Sequence, residues 1–371
     1  MNPREDLDGV TVIIPSLDPD TRLGEVVRSL QTEGFSDILL VDDGSKPENK
    51  PFFPSGDGIT LLVHEVNRGK GAALKTALRY ILQNRPQTRG ALTCDGDGQH
   101  LARDARSVCE EMLKTGAYVL GVRDFSLPDV PRKSRIGNRA SAAMLALVSG
   151  VTLRDTQTGL RAIPPSLLAP MAAVSGDRFE YETNVLLELK NMKAAYAQVT
   201  IQTVYLDSNK GSHYRPFADS MRIASLLLKY IGSSLAAFAA DIVLFSLFNH
   251  LLQLGIIAST ALARLFSSLL NFTLNRSVVF KSHTSVVKAV VKYYALAIPV
   301  MLVSAFGVTG LCTLFHLNKD SLAVTLLKIA VDTVLFILNF RLQKYWIFRE
   351  KKKFSKLSYL KGKPSWHKTI G

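Results

Sequence analysis

A mostly parallel α/β unit followed by an all-α unit of four transmembrane helices is the architecture this 371-residue sequence predicts. Three observations point to it. Short β-rich runs alternate with helix-like stretches over roughly the first half of the chain, the pattern of βαβ units. Four apolar stretches long enough to cross a bilayer follow from about residue 230. The formal net charge of +14 lies wholly in the second part. Met1–Arg215 holds 26 Lys and Arg against 26 Asp and Glu, whereas Pro216–Gly371 holds 19 against 5. A nucleic-acid enzyme would carry its basic charge around the catalytic part, so that class is disfavoured.

Taken in order, "VTVIIP", "DILLVDD", "TLLVHEV", "GALTCD" and "AYVLGV" read as strands, each apolar, short and rich in β-branched residues. Thr21–Glu33, Gly69–Gln83 and Arg103–Thr115 read as the intervening helices. In such sheets ligands gather at the carboxyl ends of the strands. Those ends carry Pro15 and Asp18, then Asp42 and Asp43, then Asn67, then Asp95 and Asp97. The three cysteines are scattered, which implies neither a disulfide framework nor a thiolate metal site. The polar, acidic start "MNPREDLDGV" predicts no signal peptide.

The second part predicts spans at about 230–254, 256–275, 293–317 and 321–340. Residues 216–229 read as a juxtamembrane linker, and 349–371 as a basic tail. Arg276–Lys292 holds four basic residues and Arg341–Gly371 ten, while the turns near Gly255 and Asn318 hold none and one. By the positive-inside rule the catalytic part and both termini are cytoplasmic. "LLNFTLNRSVVFKS" (269–282) matches "ILNFRLQKYWIFRE" (337–350) at a constant offset of 68, which implies two helical hairpins of the same orientation. The offset also aligns Arg264 with Asp332. Charges in a bilayer usually pair, so an ion pair between the hairpins is expected, with Asp241 and Lys328 as alternative partners.

"GALTCDGDGQH" sets Asp95, Asp97 and Gln99 at alternate positions, hence on one face of an extended segment. Two adjacent carboxylates repel unless a cation intervenes, and hard oxygen donors suit Mg²⁺ or Mn²⁺. An EF-hand is excluded, because His100 and Arg106 stand where that loop needs Gly and Glu. The stretch reads either as a divalent-metal site or as a polar turn after a strand.

"VTVIIPSLDPD", "LLVDDGS", "NRGKGAALKTAL" and "DGDGQH", in this order, resemble family 2 glycosyltransferases of GT-A fold. "GVRDF", "RIGNRAS", "DTQTGLRAIP" and "FEYETNVLLE" look like the polyprenyl- or dolichyl-phosphate hexosyltransferase branch, and the membrane part is similar to GtrA-like domains. The resemblance implies a membrane-bound, inverting transfer of glucose or mannose from UDP-glucose or GDP-mannose to undecaprenyl or dolichyl phosphate. By it, Asp95, Asp97 and Gln99 hold Mg²⁺ or Mn²⁺ on the diphosphate. Pro15, Asp18, Asp42, Asp43, Asn67, Lys70 and Asp95 line the nucleotide-sugar pocket. Asp155, Gln157 and Arg161 join Asp97 at the reaction centre, and Arg123, Arg135 and Arg215 hold the acceptor phosphate. The partners implied are the lipid bilayer and further copies of the chain in a homo-oligomer.

The first motif departs from the family. Leu17, Asp18 and Pro19 stand where relatives carry Tyr-Asn-Glu, which leaves the glutamate's role to Asp20 or to no residue. Two other classes compete: a processive polysaccharide synthase, disfavoured because "QTGLR" is not the Q-x-x-R-W motif, and a lipid-linked-sugar transporter with a degenerate catalytic part.

Overall fold

The computed structural model describes residues 7–127, 130–202, 216–315, 322–348 and 367–369. The chain divides into two compact units, Met1–Arg222 with Lys353–Gly371, and Ile223–Lys352.

In the first unit β1 (Val10–Ser16), β2 (Asp37–Asp42), β3 (Ile59–Val63), β4 (Gly90–Thr93), β5 (Tyr118–Arg123), β6 (Arg161–Ile163), β7 (Tyr196–Ile201) and β8 (His367–Thr369) form one sheet. Its order is β7-β5-β6-β4-β1-β2-β3-β8. All neighbours are parallel except where β6 meets β4 and β5, and where β8 meets β3. The helices are α1 (Thr21–Thr32), α2 (Lys70–Asn84), α3 (Ala102–Thr115), α4 (Arg132–Ser149), α5 (Pro165–Ala172) and α6 (Glu180–Met192).

The local sequence explains these elements. In β1, alternate residues Val10, Val12 and Ile14 face a core completed by Leu23, Val26, Val27 and Leu30 of α1 and by Ala105, Val108, Cys109 and Met112 of α3. Both helices place apolar residues at i, i+3, i+4 and i+7, which puts them on one stripe. Asp20 caps α1 by accepting the Arg22 backbone N–H at 2.9 Å. α3 ends on Gly116, whose φ of +67° suits the left-handed cap. On the sheet's other face α2 buries Ala73, Leu74, Ala77 and Ile81.

β8 was read from the sequence as tail. It pairs antiparallel with β3, Val63 opposite His367 and Leu61 opposite Thr369, so the edge of the parallel array is covered by the end of the chain.

The second unit contains α7 (Pro216–Ser246), α8 (Ile256–Leu274), α9 (Val286–Leu314) and α10 (Leu322–Leu342). Among the described residues, Ser225–Leu251, Ile256–Val279 and Val286–Leu314 are long and apolar enough to cross a membrane. α10 adds 21 residues. α8 and α10 each continue into one π-helical turn, Asn275–Val279 and Gln343–Ile347, at equivalent places under the 68-residue offset.

The repeat is also visible in the packing. Tyr230 meets Phe340 edge-on at 5.1 Å between ring centroids, and Phe272, the equivalent of Phe340, is met edge-on by Tyr293 at 5.4 Å. Phe280 lies 5.8 Å from Phe340, and Phe348 lies 5.7 Å from Phe272. Phe280 and Phe348, equivalent to each other, stack at 5.2 Å. Asn275 donates to its equivalent Gln343 at 3.1 Å, within a buried network that includes Tyr230, Ser233 and Asn271. Interhelical hydrogen bonds of this kind join helices where lipid supplies no hydrophobic drive.

The expected ion pair between hairpins is not formed. Arg264 pairs with Asp241 at 3.5 Å, and Lys328 with Asp332 at 2.7 Å. Ser267 donates to Asp241 at 2.9 Å, and Ser304 donates to Asp332 at 2.6 Å. Each hairpin therefore neutralises its own charges. A double-mutant cycle in detergent should show coupling of about 0.6 kcal/mol between Arg264→Ala and Asp241→Ala. Losses from Arg264→Ala and Asp332→Ala should add, as melting temperatures will report.

Candidate active site

The sheet topology gathers the candidate residues. β1, β2, β4 and β5 run the same way and end at one edge, where the chain carries Asp18, Asp42, Asp43, Asp95 and Arg123. β6 runs the opposite way, so its first residue, Arg161, comes to that same edge.

At β1 and β2 the carboxylates hold loops. Asp18 has φ +49°; its N–H donates to Ser45 Oγ at 2.9 Å, and its Oδ1 accepts the Lys46 N–H at 2.8 Å. Buried Asp42 accepts the Ser45 N–H at 2.7 Å. Buried Asp43 accepts the N–H of Arg68 at 3.0 Å and of Gly69 at 2.7 Å, and contacts His64 Nδ1 at 2.7 Å. Asp43 thereby fixes the turn that presents Asn67, which is exposed, and Lys70. Gly44, at φ +80°, permits this approach, since a Cβ there would lie 2.4 Å from the Asn67 nitrogen. Pro15, half-buried in β1, is in register with Val41. Asp20 is engaged locally: Arg22 binds its carboxylate at 2.6 Å and holds its pKa down.

The centre of the edge is a chain of alternating charges. Lys70 Nζ lies 2.7 Å from Asp95 Oδ1 and 3.1 Å from Glu182 Oε2. Arg161 Nη2 stands 3.7 Å from Glu182 Oε1, while its Nη1 donates to the Tyr118 hydroxyl at 3.3 Å and its Nε to the Thr158 carbonyl at 2.8 Å. Burial works against the Lys70 charge, but Asp95 and Glu182 outweigh it and its pKa rises. Burial likewise opposes the Asp95 carboxylate, yet Lys70 and His100 bring its pKa down. Asp97 differs: burial, then the charge of Asp95, raises its pKa. Its Oδ1 accepts the Gln99 N–H at 3.0 Å. Among the described residues this carboxylate forms no ion pair, unlike Asp95.

The stretch 155–161 ties a second group to the first. Asp155 is fully buried and forms a two-point pair with Arg123, Nε to Oδ2 at 2.7 Å and Nη2 to Oδ1 at 3.1 Å. The Gln157 N–H also donates to Asp155, at 3.0 Å. Gly159 packs on Asp95, where a Cβ would lie 2.2 Å from Oδ2. Asp155 and Arg161, read from the sequence as reaction-centre groups, thus sit in buried pairs behind the surface. Arg123 keeps a quarter of its side chain exposed. Arg135, on α4, donates from Nη2 to the Leu127 carbonyl at 2.9 Å, and among the described residues its buried Nε meets no acceptor. Arg215 lies outside the described residues.

Glu182 was missed as a site residue. It stands in the quoted stretch "FEYETNVLLE", but nothing in the spacing of its glutamates marks the one that turns inward. His64 and His100 were also not singled out.

Two outcomes follow from the geometry. Arg123→Ala leaves Asp155 buried and unpaired, which typically costs 3–5 kcal/mol; a large fall in melting temperature is expected, partly recovered by adding Asp155→Ala. Glu182→Gln removes one of the two carboxylates that hold Lys70. The melting temperature should fall, because Lys70 and buried Arg161 each lose a carboxylate, and turnover should fall on the order of 10²-fold, the scale for a displaced electrostatic group.

Residues 11–164 match the family described as Glycosyl transferase family 2, and residues 229–348 match the GtrA/DPMS transmembrane domain. The chain is 29% identical over 205 residues to an uncharacterized protein of Methanocaldococcus jannaschii, covering 54% of this chain and 83% of that protein. It is 26% identical over 219 residues to the UDP-N-acetylglucosamine–dolichyl-phosphate N-acetylglucosaminyltransferase of Methanococcus voltae, covering 53% and 86%. Glycosyltransferase AglJ of Haloferax volcanii is 27% identical over 207 residues, covering 55% and 65%. Among solved structures, mannosyl-3-phosphoglycerate synthase from Rubrobacter xylanophilus aligns with 60% of this chain and 74% of its own at 16% identity, with a TM-score of 0.45. With a mostly parallel Rossmann-like sheet, the ordered motifs on its edge and apolar helices beyond it, this chain is a membrane protein that belongs to the family 2 glycosyltransferases and carries a C-terminal GtrA/DPMS domain.

Proposed function

We propose that the protein transfers a single sugar, a hexose or an N-acetylhexosamine, from a nucleotide-sugar to a polyprenyl phosphate, with inversion at the anomeric carbon. The observation that carries this reading is the Asp95–Lys70–Glu182 cluster, tied through residues 155–161 to the Arg123–Asp155 pair, in a chain that also has a membrane unit. A nucleotide-sugar brings a diphosphate, whose negative charge grows as the glycosidic bond breaks. Lys70, held between two carboxylates, is placed to donate to that diphosphate. The acceptor is an anion that needs no strong base, only cationic positioning, for which forked guanidinium donors are suited. Arg123, its plane fixed by Asp155, and Arg135, on α4 beside it in the chain's order of motifs, are the candidates. The acceptor phosphate oxygen bonds to the anomeric carbon while the bond from that carbon to the diphosphate oxygen breaks, and the electron pair leaves on the diphosphate.

The donor set at the strand edge fits a divalent metal. Among the described residues no three His, Cys, Asp or Glu side chains converge as a metal site. Asp95, Asp97 and Gln99 instead offer two carboxylates and an amide, the hard oxygen chemistry of Mg²⁺ or Mn²⁺. Burial, and after it the charge of Asp95, raises the pKa of Asp97, so a cation beside the pair would favour both carboxylates. When bound, such a metal stabilises the negative charge of the leaving diphosphate.

The chain's return to its first sheet supports a topology. β8 pairs with β3, so an even number of crossings separates the two strands. Taken with the basic residues of 276–292 and 341–371, this supports four spans with the catalytic unit on the cytoplasmic side.

The named activity of the Methanococcus voltae relative adds UDP-N-acetylglucosamine to UDP-glucose and GDP-mannose as candidate donors. Purified protein offered each donor with undecaprenyl or dolichyl phosphate and Mg²⁺ or Mn²⁺ should give one lipid product carrying one sugar, identified by mass. Asp97→Asn should lower that turnover on the order of 10²-fold or more. A polymer, or turnover unchanged by chelation of the metal, would overturn the reading.

A further inference from the structure

α4 presents two contrasting faces. Asn138, Ser141, Leu145 and Val148 are buried, and the helix packs on α6. The opposite face exposes Arg132, Ile136, Arg139, Ala140 and Ala143, with Lys133 at its margin. The spacing from 132 to 136, 139 and 143 keeps these residues on one side of the helix. Ile136 is 68% exposed, unusual for an isoleucine. Leu127, 49% exposed, belongs to the loop before the helix, and Arg135 holds that loop through the Leu127 carbonyl.

The charge on this helix is one-sided. Residues 132–149 include four basic side chains and no acidic one, whereas Met1–Arg215 as a whole balances 26 against 26. Basic side chains near an anionic bilayer each contribute about 1 kcal/mol of attraction to its surface, and apolar side chains beside them add to it by entering the headgroup boundary. The chain is itself a membrane protein, so an anionic lipid surface is always within its reach.

We propose that the exposed face of α4 docks the catalytic unit onto an anionic lipid surface, with Arg132, Lys133 and Arg139 on the headgroups and Ile136 and Leu127 inserted among them. The docking requires membrane attachment only and is independent of the sugar or acceptor used. It has a consequence for the proposed reaction, because Arg135 lies on the same helix and would be held at the level of lipid phosphates.

The test uses the full chain in lipid nanodiscs of phosphatidylcholine, with or without phosphatidylglycerol. Cys94 and Cys109 are buried, so Ile136→Cys in a Cys312→Ala background gives one site for an NBD label. Phe52→Cys, on the helical turn Pro47–Phe52, is the control. The label at 136 should brighten, shift to the blue and become several-fold less accessible to acrylamide when phosphatidylglycerol is present, and high salt should reverse the change. The control should not respond. Replacing Arg132, Lys133 and Arg139 by Gln should each reduce the docked-to-undocked ratio about fivefold, in line with the known worth of a surface cation near anionic lipid. Identical emission at 136 in both lipids overturns the proposal. Emission that follows the number of chains per disc, and not lipid charge, also overturns it and assigns the face to a second copy. Loss of transferase activity with the lipid response intact would count against the proposed reaction and leave the docking standing.

Discussion

The catalytic unit depends on one shared ammonium group. Lys70 stands between Asp95 and Glu182, so the start of α2, the end of β4 and the start of α6 meet at a single charge. Without it two carboxylates would face each other in a largely buried place, and burying unpaired charge is costly. Arg161 backs Glu182 from the other side and is itself satisfied by Tyr118 and Thr158. The order of charges from surface to interior is therefore carboxylate, ammonium, carboxylate, guanidinium. Asp97 lies outside this alternation, and the surplus negative charge falls there, at the outer end of the array.

This arrangement explains why the edge needs a reversed strand. A parallel strand between β4 and β5 would bring its last residue to the site and hide its first. β6 enters from the site side, so the loop 155–160 crosses the edge before the strand begins. That loop places Asp155 under Arg123 and the bare backbone of Gly159 against Asp95. The two clusters of the site are coupled by seven consecutive residues, and the coupling is a consequence of strand direction.

Much of this unit was legible in the sequence. β1 to β5 are apolar runs bounded by turn residues, and α1 and α3 carry an unbroken stripe, so periodicity alone located them. β6 has three residues and β7 is mostly half-buried, too short or too weakly patterned for that signal. The motif residues were legible as a set, but their partners were not. Asp43 reads as a pocket residue, yet both of its oxygens hold the turn at Arg68 and Gly69, with His64 behind. Asp155 and Arg161 read as reaction-centre groups and serve as buried partners. Residue type announces chemistry, whereas burial and partner choice depend on contacts across 21 to 43 residues that no local pattern encodes.

The membrane unit shows the same limit in a different form. An offset of 68 residues fixes which positions are equivalent in depth, and the matched ring contacts of Phe280 with Phe340 and of Phe348 with Phe272 bear the equivalence out. Equivalent depth does not imply contact. Residues related by an approximate two-fold axis touch each other only where they lie close to that axis, as Phe280 with Phe348 and Asn275 with Gln343 do. Positions 264 and 332 are equivalent places in the two copies of the repeat, yet each pairs within its own hairpin, with Asp241 and Lys328 respectively. The aromatic and amide residues therefore join the two hairpins along the axis, and the charged residues act within each hairpin away from it. A repeat read from sequence gives the list of equivalent residues; which of them meet is decided by their distance from the symmetry axis.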